Sequence, residues 1–339
     1  MNLCADDTCF FALNESRTLA LAVAQEAGLV LAPLEERLYA GGEFKLRPLE
    51  SVHNRPAFVL QSLAGSADAP LSERLLRVLF LLSALRDAGA TPRVLLLPYL
   101  AFARQERRTQ PRDSVNTRYV AQLLEAAGAD QIIALDVHSP TALENAFRIP
   151  VDHLSALPLM ANHYTSHLAH AALTVLSPDI GGIKPAQLFR EMLAARMGLE
   201  VELAFIEKRR TEVGVSNGRL VGNASGRDVI VLDDLCATGE TLLRAATACR
   251  RAGAAAVHIA VTHMPLVAGF EALMASDQID SILTTDSVGF SFASSAAPPS
   301  PDRLSILSIA PLLGRAVQRR LAGKSLAPLL SRWPVNPED

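Results

Sequence analysis

The stretch Val229–Thr241, VIVLDDLCATGET, decides the fold. Its apolar, β-branched start reads as a buried strand, which delivers two adjacent carboxylates, Asp233 and Asp234, to its carboxyl end. A short loop, Ala237, Thr238, Gly239, Glu240 and Thr241, then opens a helix predicted over Gly239–Ala252. Ligands of open α/β sheets bind at that edge of the strands. The N–H groups of such a loop, the helix N-terminus and the hydroxyls of Thr238 and Thr241 suit a phosphate. The carboxylates next door suit vicinal sugar hydroxyls, because each ionised oxygen accepts from an O–H. No Gly-Lys-Ser/Thr follows, so this is not a Walker loop. The bland alternative is a plain turn with a capping threonine. Strand, paired aspartates, spacer, T-G-x-T and helix occurring together argue against it.

Working outward, short apolar runs alternate with longer helical stretches. Strands are predicted at Ala57–Gln61, Arg93–Leu97, Gln131–Leu135, Leu173–Leu176, Glu202–Ile206, Val257–Val261, Ser281–Leu283 and Leu304–Ser308. Helices are predicted at Leu75–Ala88, Thr117–Ala127, Pro185–Arg196, Ala268–Ser276 and Ala310–Leu321. Glycines at 89, 128 and 253 mark helix ends. Continuous apolar strands alternating with helices imply parallel sheets covered on both faces. The rhythm restarts after a polar, histidine-bearing stretch. This predicts an α/β chain with an N-terminal domain over 1–157, a C-terminal domain over 158–303, and a last strand and helix, 304–339, packing back on the first domain.

The 339 residues are half apolar, with a net charge of −3, which excludes a disordered chain and gives no basic field for nucleic acid. Aromatics at 5% offer no base-stacking platform. Four cysteines, Cys4, Cys9, Cys236 and Cys249, fit neither a zinc pattern nor a disulfide framework and suggest a reducing compartment. No signal peptide and no membrane span is legible, so the expected setting is cytoplasmic. His163, His167 and His170 share one helical face, but no carboxylate is fixed beside them and a solvated face is the expectation.

Six ordered motifs resemble one family, the ribose-phosphate pyrophosphokinases. Val94–Arg108, VLLLPYLAFARQERR, is similar to that family's P-Y-x-x-Y-A-R-Q-D-R segment, and Leu135–His138, LDVH, to its D-L-H. Ser177–Gly182, SPDIGG, resembles P-D-x-G-G, and Glu207–Arg210, EKRR, stands at its K-x-R loop. Asn223–Asp234 and Ile306–Leu312 also match in kind and order. The resemblance implies two phosphoribosyltransferase-type domains, each a mainly parallel sheet flanked by helices, in a homo-oligomer built from dimers, commonly a hexamer. The implied reaction moves diphosphate from ATP to the 1-hydroxyl of ribose 5-phosphate, giving PRPP and AMP with Mg²⁺. It implies Lys208 and Arg210 as catalytic cations. Gly41, Glu43, Arg104, Gln105 and His138 are implied on ATP. Asp233, Asp234 and the loop Ala237, Thr238, Gly239, Glu240 and Thr241 are implied on ribose 5-phosphate. His138, Asp179 and Asp136 are implied at the metal.

Several segments depart from the family. Tyr39–Glu43, YAGGE, stands where the family has F-S-D-G-E, so Gly41 replaces an aspartate. In the loop, D-T-G-G-T becomes ATGET, which puts Glu240 beside an expected phosphate, with the expectation that it points outward. His53, Ala327 and Leu330 replace an arginine, a serine and a phenylalanine in segments that serve regulation in the family's best-known class. Three other readings stay open at this point: a catalytically weak regulatory homologue, a phosphoribosyltransferase that consumes PRPP, and a diphosphokinase for another sugar phosphate.

Overall fold

The structure is a computed structural model, and it describes residues 7–66, 70–168, 172–207, 210–211, 214–215, 218–265, 269–289 and 303–330. The N-terminal part runs β1 (Cys9–Ala12), α1 (Arg17–Ala27), a hairpin of β2 (Leu34–Leu38) and β3 (Phe44–Pro48), β4 (Ala57–Leu60), α2 (Leu71–Asp87), β5 (Arg93–Leu97), α3 (Asn116–Ala127), β6 (Gln131–Leu135), α4 (Pro140–Ala146) and β7 (Val151–Leu154). The C-terminal part runs α5 (Leu157–His167), β8 (Leu173–Ser177), α6 (Ile183–Met197), β9 (Val201–Glu207), the short pair β10 (Arg210–Thr211) and β11 (Gly214–Val215), and β12 (Arg219–Val221). It continues through β13 (Asp228–Leu235), α7 (Glu240–Arg251), β14 (Ala256–His263), α8 (Phe270–Ala275), β15 (Ser281–Thr285), β16 (Leu304–Leu307) and α9 (Ala310–Leu321).

The first sheet is parallel throughout, in the order β1-β4-β5-β6-β7. The second is ordered β12-β9-β8-β13-β14-β15-β16, and its edge strand β12 pairs antiparallel with β9. The strands predicted at Arg93–Leu97 and Gln131–Leu135 form with those bounds. The strand read at Val229–Leu232 continues to Leu235, so the paired aspartates lie within it. The β2–β3 hairpin, β1 and α1 were not anticipated, and the histidine-bearing stretch folds as α4, β7 and α5. The Ser-Pro stretch at 291–302 and His170 lie outside the described residues.

Alternate residues of a strand face opposite sides of its sheet. Phe11, Val59, Leu95 and Ile132 face a core covered by α2, α3 and α4. Phe10, Phe58, Leu96 and Ile133 face a second core, which they share with Val175, Ile230, Leu232 and Ala260 of the other sheet. Helices α1, α5, α6 and α9 fill this shared core, while Val229, Val231 and Ile259 lie under α7 and α8. Full burial of such a side chain stabilises by ~1.5–3 kcal/mol, so the packing between the sheets is part of the fold. Buried Tyr164 of α5 crosses it and donates its hydroxyl to the Ile259 carbonyl at 3.3 Å.

The C-terminal segment divides. β16 pairs in parallel with β15, Ile282 opposite Leu304, and so completes the second sheet instead of joining the first. Only α9 turns back, where Gln318 Nε2 donates to the Glu26 carbonyl of α1 at 2.7 Å. A Cβ on Gly314 would stand 2.4 Å from Glu26 Cβ, so this close helix crossing requires glycine. Among the described residues no helix is long and apolar enough to cross a membrane.

Candidate active site

The carboxyl ends of β5, β6 and β13 border one open cleft between the sheets. Its empty space, including the side open to solvent, is about 780 Å³. Tyr99, Arg104, Gln105, Asp136, His138 and Asp234 line it. The segment after β5 is held by Thr117, whose hydroxyl donates to the Phe102 carbonyl at 3.0 Å, and by Asn116 Nδ2, which donates to Gln105 Oε1. Arg104 stands exposed, with no hydrogen bond or ion pair among the described residues, and its guanidinium remains open to an anion.

The two neighbouring aspartates divide between two sites. Leu232 faces the core shared by the sheets, so Asp234, two residues on in β13, faces the same way and Asp233 faces the other. Asp234 Oδ2 meets His138 Nδ1 at 2.7 Å, a contact between residues 96 apart in sequence that joins the two sheets. The Asp234 hydrogen bond raises the His138 imidazole above its usual value, against burial. For Asp234, burial favours the neutral carboxyl, but the His138 hydrogen bond and charge prevail and hold it below the usual range. Asp233 is pushed up to about 8 by burial and then by Asp234, with Asp179 adding to the rise. Two adjacent carboxyls driven in opposite directions are what acid–base or charge-binding work requires.

Past β13 the loop is fixed by backbone fit. Gly239 has φ +78, and a Cβ there would stand 2.7 Å from Leu273 Cδ1 of α8. Gly269 has φ +105, and its Cβ would come within 1.9 Å of the Thr238 carbonyl oxygen. Both positions therefore need glycine. Ala237, Thr238, Gly239, Glu240 and Thr241 form the turn into α7, as the sequence predicts. Glu240 is exposed in the first turn of α7, where a carboxylate complements the helix dipole. Cys236 is buried beneath the turn, and burial followed by Asp233 pushes its thiol up to about 11, which leaves it unreactive.

The remaining expected site residues are placed differently. Asp179 lies in the loop after β8, where its Oδ1 accepts from the Gly182 N–H at 3.1 Å and its charge acts on Asp233. Asp136 spends its Oδ2 on the Ala156 N–H and the Thr262 hydroxyl. Among the described residues no three His, Cys, Asp or Glu side chains converge closely enough to hold a metal ion, so His138, Asp136 and Asp179 do not form one cage. The donor chemistry nevertheless fits Mg²⁺, which binds through one or two carboxylates, waters and substrate phosphates. Asp233, buried beside Asp234 and near Asp179, is a carboxyl whose ionisation a cation would relieve.

Gly41 and Glu43 lie in the turn of the β2–β3 hairpin and do not line the cleft. Gly41 and Gly42 have φ +98 and +91, so this turn favours glycine where the family has an aspartate. Lys208 lies outside the described residues, and Arg210 is described only as the backbone start of β10. On α5 the His163 and His167 rings stack at 4.0 Å, and His167 Nδ1 meets the His163 carbonyl at 2.7 Å, which gives them a local role. Two cleft residues escaped the sequence reading. Tyr99 and His263 meet edge to face at 5.1 Å on its wall, and the position of His263 at the carboxyl end of a strand is the signal that marks it.

Comparison with known proteins identifies the family and the fold. Residues 8–128 match the N-terminal domain of ribose phosphate pyrophosphokinase, and residues 158–297 match the phosphoribosyl transferase domain. The chain is 33% identical to a ribose-phosphate pyrophosphokinase of Listeria ivanovii, over 91% of this chain and 92% of that one. It is 34% identical to one of Brucella melitensis, over 94% and 98%. The crystal structure of phosphoribosylpyrophosphate synthetase from Mycobacterium smegmatis superposes with a TM-score of 0.83 at 32% identity, covering 93% of this chain and 99% of that one. With matching domains in both halves and relatives of this identity over nearly its whole length, the chain belongs to the ribose-phosphate pyrophosphokinase family.

Proposed function

We propose that the chain is a ribose-phosphate diphosphokinase that transfers the β,γ-diphosphate of ATP to the 1-hydroxyl of ribose 5-phosphate, releasing AMP and forming PRPP. The observation that carries this reading is the division of the aspartates. Asp234 faces the cleft with His138, Arg104 and Gln105, and Asp233 faces the side of the phosphate loop. One donor and one acceptor substrate held on two sides of one strand can meet at its end.

ATP occupies the cleft, where the Arg104 fork and the His138 imidazole face its phosphates. Ribose 5-phosphate sits with its phosphate on the turn Ala237–Thr241 and its hydroxyls toward Asp233. Lys208 and Arg210 supply charge that strengthens as the β-phosphorus is attacked. Asp179, with Asp233 nearby, and His138 on the nucleotide side would hold Mg²⁺ together with the phosphates, and the ion would add positive charge there. For Gly41 and Glu43 to reach ATP in this geometry they must do so from a second copy of the chain, which accords with a homo-oligomer in the cytoplasm. Loss of the arginine, serine and phenylalanine at His53, Ala327 and Leu330 favours ADP acting as a competitor of ATP.

The test is direct. With ATP, Mg²⁺ and ribose 5-phosphate, AMP and PRPP appear together. Formation of neither, with substrates bound, identifies a regulatory homologue, and AMP without PRPP identifies another acceptor.

A further inference from the structure

The two sheets meet at a polar joint beside the cleft. Asp136 Oδ2 accepts from the Ala156 N–H at 2.9 Å and from Thr262 Oγ1 at 2.7 Å. Ala156 leads into α5, and Thr262 belongs to β14, so one carboxylate oxygen ties the first sheet, the connection and the second sheet together. His263 returns the link, with Nε2 3.2 Å from the Leu135 carbonyl and 3.3 Å from that of Asp136. A carbonyl only accepts, so Nε2 carries the proton and Nδ1 accepts from Ser287 Oγ at 2.8 Å. The Thr262 carbonyl accepts from Thr285 Oγ1 at 2.8 Å, which anchors the joint to β15.

Three features separate this joint from ordinary packing. Thr262 and His263 are 2% and 3% exposed, so their bonds are made away from water. Asp136 has φ +35, a backbone conformation that a residue with a side chain holds only where its surroundings enforce it, and such residues cluster at functional sites. The joint also lies one step from the reacting groups. Asp136 is two residues before His138, and the β13–β14 pairing of Asp233 with Val261 and Leu235 with His263 sets Thr262 beside Asp234.

We propose that Asp136, Thr262 and His263 are positioning residues that fix the register between the two sheets, so that His138 and Asp234 meet and the two bound substrates align. Asp136 then acts through hydrogen bonds across the seam and not as a metal ligand. The inference rests on the reading that ATP and the sugar phosphate are held on different sheets. Each substrate is bound by groups of its own side, so a looser register lowers turnover more than affinity.

Thr262→Val keeps the shape, removes the hydroxyl and leaves the cleft lining intact. We expect kcat to fall about tenfold, the KM of each substrate to stay within about twofold, and Thr262→Ser to restore kcat. Should the valine variant not fold, Thr262→Ala is read in the same way. A kcat within twofold of wild type, a rise in KM with kcat unchanged, or a serine variant as slow as the valine variant overturns the proposal. Amide hydrogen exchange of the unliganded protein is the second readout. Exchange should quicken in both the 131–138 and 256–263 segments of Thr262→Val and recover in Thr262→Ser. If the wild type makes no PRPP, the diphosphokinase reading fails and the joint is judged by exchange alone: unchanged exchange in either segment then overturns it.

Discussion

Two clusters of partly buried charge can be compared in this chain, and the one at the seam lines the open cleft. At the seam, Asp234 pairs with His138 while Asp233 turns away, and burial pushes Asp233 up to about 8. At the base of the β2–β3 hairpin, three glutamates surround Arg77. Its Nη1 lies 3.0 Å from Glu15 and 3.5 Å from Glu36, and its Nη2 lies 2.6 Å from Glu73. Burial and then Glu15 push Glu36 up to about 7, as far from ordinary as many catalytic groups. Yet each of the three glutamates there pairs with Arg77, whose guanidinium lies 5.3 Å from the centre of the Phe44 ring. The difference teaches that a displaced carboxyl marks a site only where it also faces room for a ligand.

The largest effect should come from Asp234→Asn, which removes the carboxylate that raises the His138 imidazole at the cleft. Its kcat should fall ~10²–10³-fold with the fold intact, as for other losses of preorganised charge. Steady-state kinetics with circular dichroism check this, and a loss below tenfold would put the seam on a level with the hairpin. Arg77→Ala should do the reverse, leaving carboxylates buried without their cation. Stability should drop by about 2–3 kcal/mol in urea unfolding, while kcat of the folded enzyme holds.

Much of this comparison was legible in the sequence where the determinants are local. Val229–Thr241 reads as strand, paired carboxylates, turn and helix because each signal lies within a few residues of the next, and Gly239 and Glu240 take the places expected of them. The division of Asp233 from Asp234 follows from strand alternation, once the strand is known to run through both. What the sequence hid is long-range. The bond of Asp136 to Thr262 could not be read from the sequence, because the two are 126 residues apart. The β2–β3 hairpin escaped because LEERL and FKLRP are largely polar, and the core on which Leu34 and Leu46 pack is assembled from distant parts of the chain. The short strand β1 shows its role only when its four residues are seen buried on both faces.

Two smaller effects sharpen the comparison further. Asp233→Asn should raise the KM for ribose 5-phosphate about tenfold and leave that for ATP unchanged, the loss of one charge-assisted hydrogen bond. An equal rise for both substrates would mean that the two aspartates serve one site. The smallest effect belongs to Glu36→Gln. Glu36 holds its proton more tightly folded than unfolded, so between its ordinary value of 4.5 and about 7 the folded state binds more protons. Wild-type stability therefore falls as pH rises through that window, and the glutamine variant escapes the loss. Thermal unfolding should find the variant more stable at pH 8, by about 1 kcal/mol, and equal to wild type near pH 4.

The central claim is that diphosphate leaves ATP as one unit and reaches the sugar. ATP labelled separately at the β- and γ-phosphorus, incubated with Mg²⁺, ribose 5-phosphate and the wild-type protein, tests it most directly. The account predicts that both labels enter PRPP equally, with one AMP formed for each PRPP. Label released as free phosphate, ADP as the nucleotide product, or γ-label alone on the sugar would contradict it.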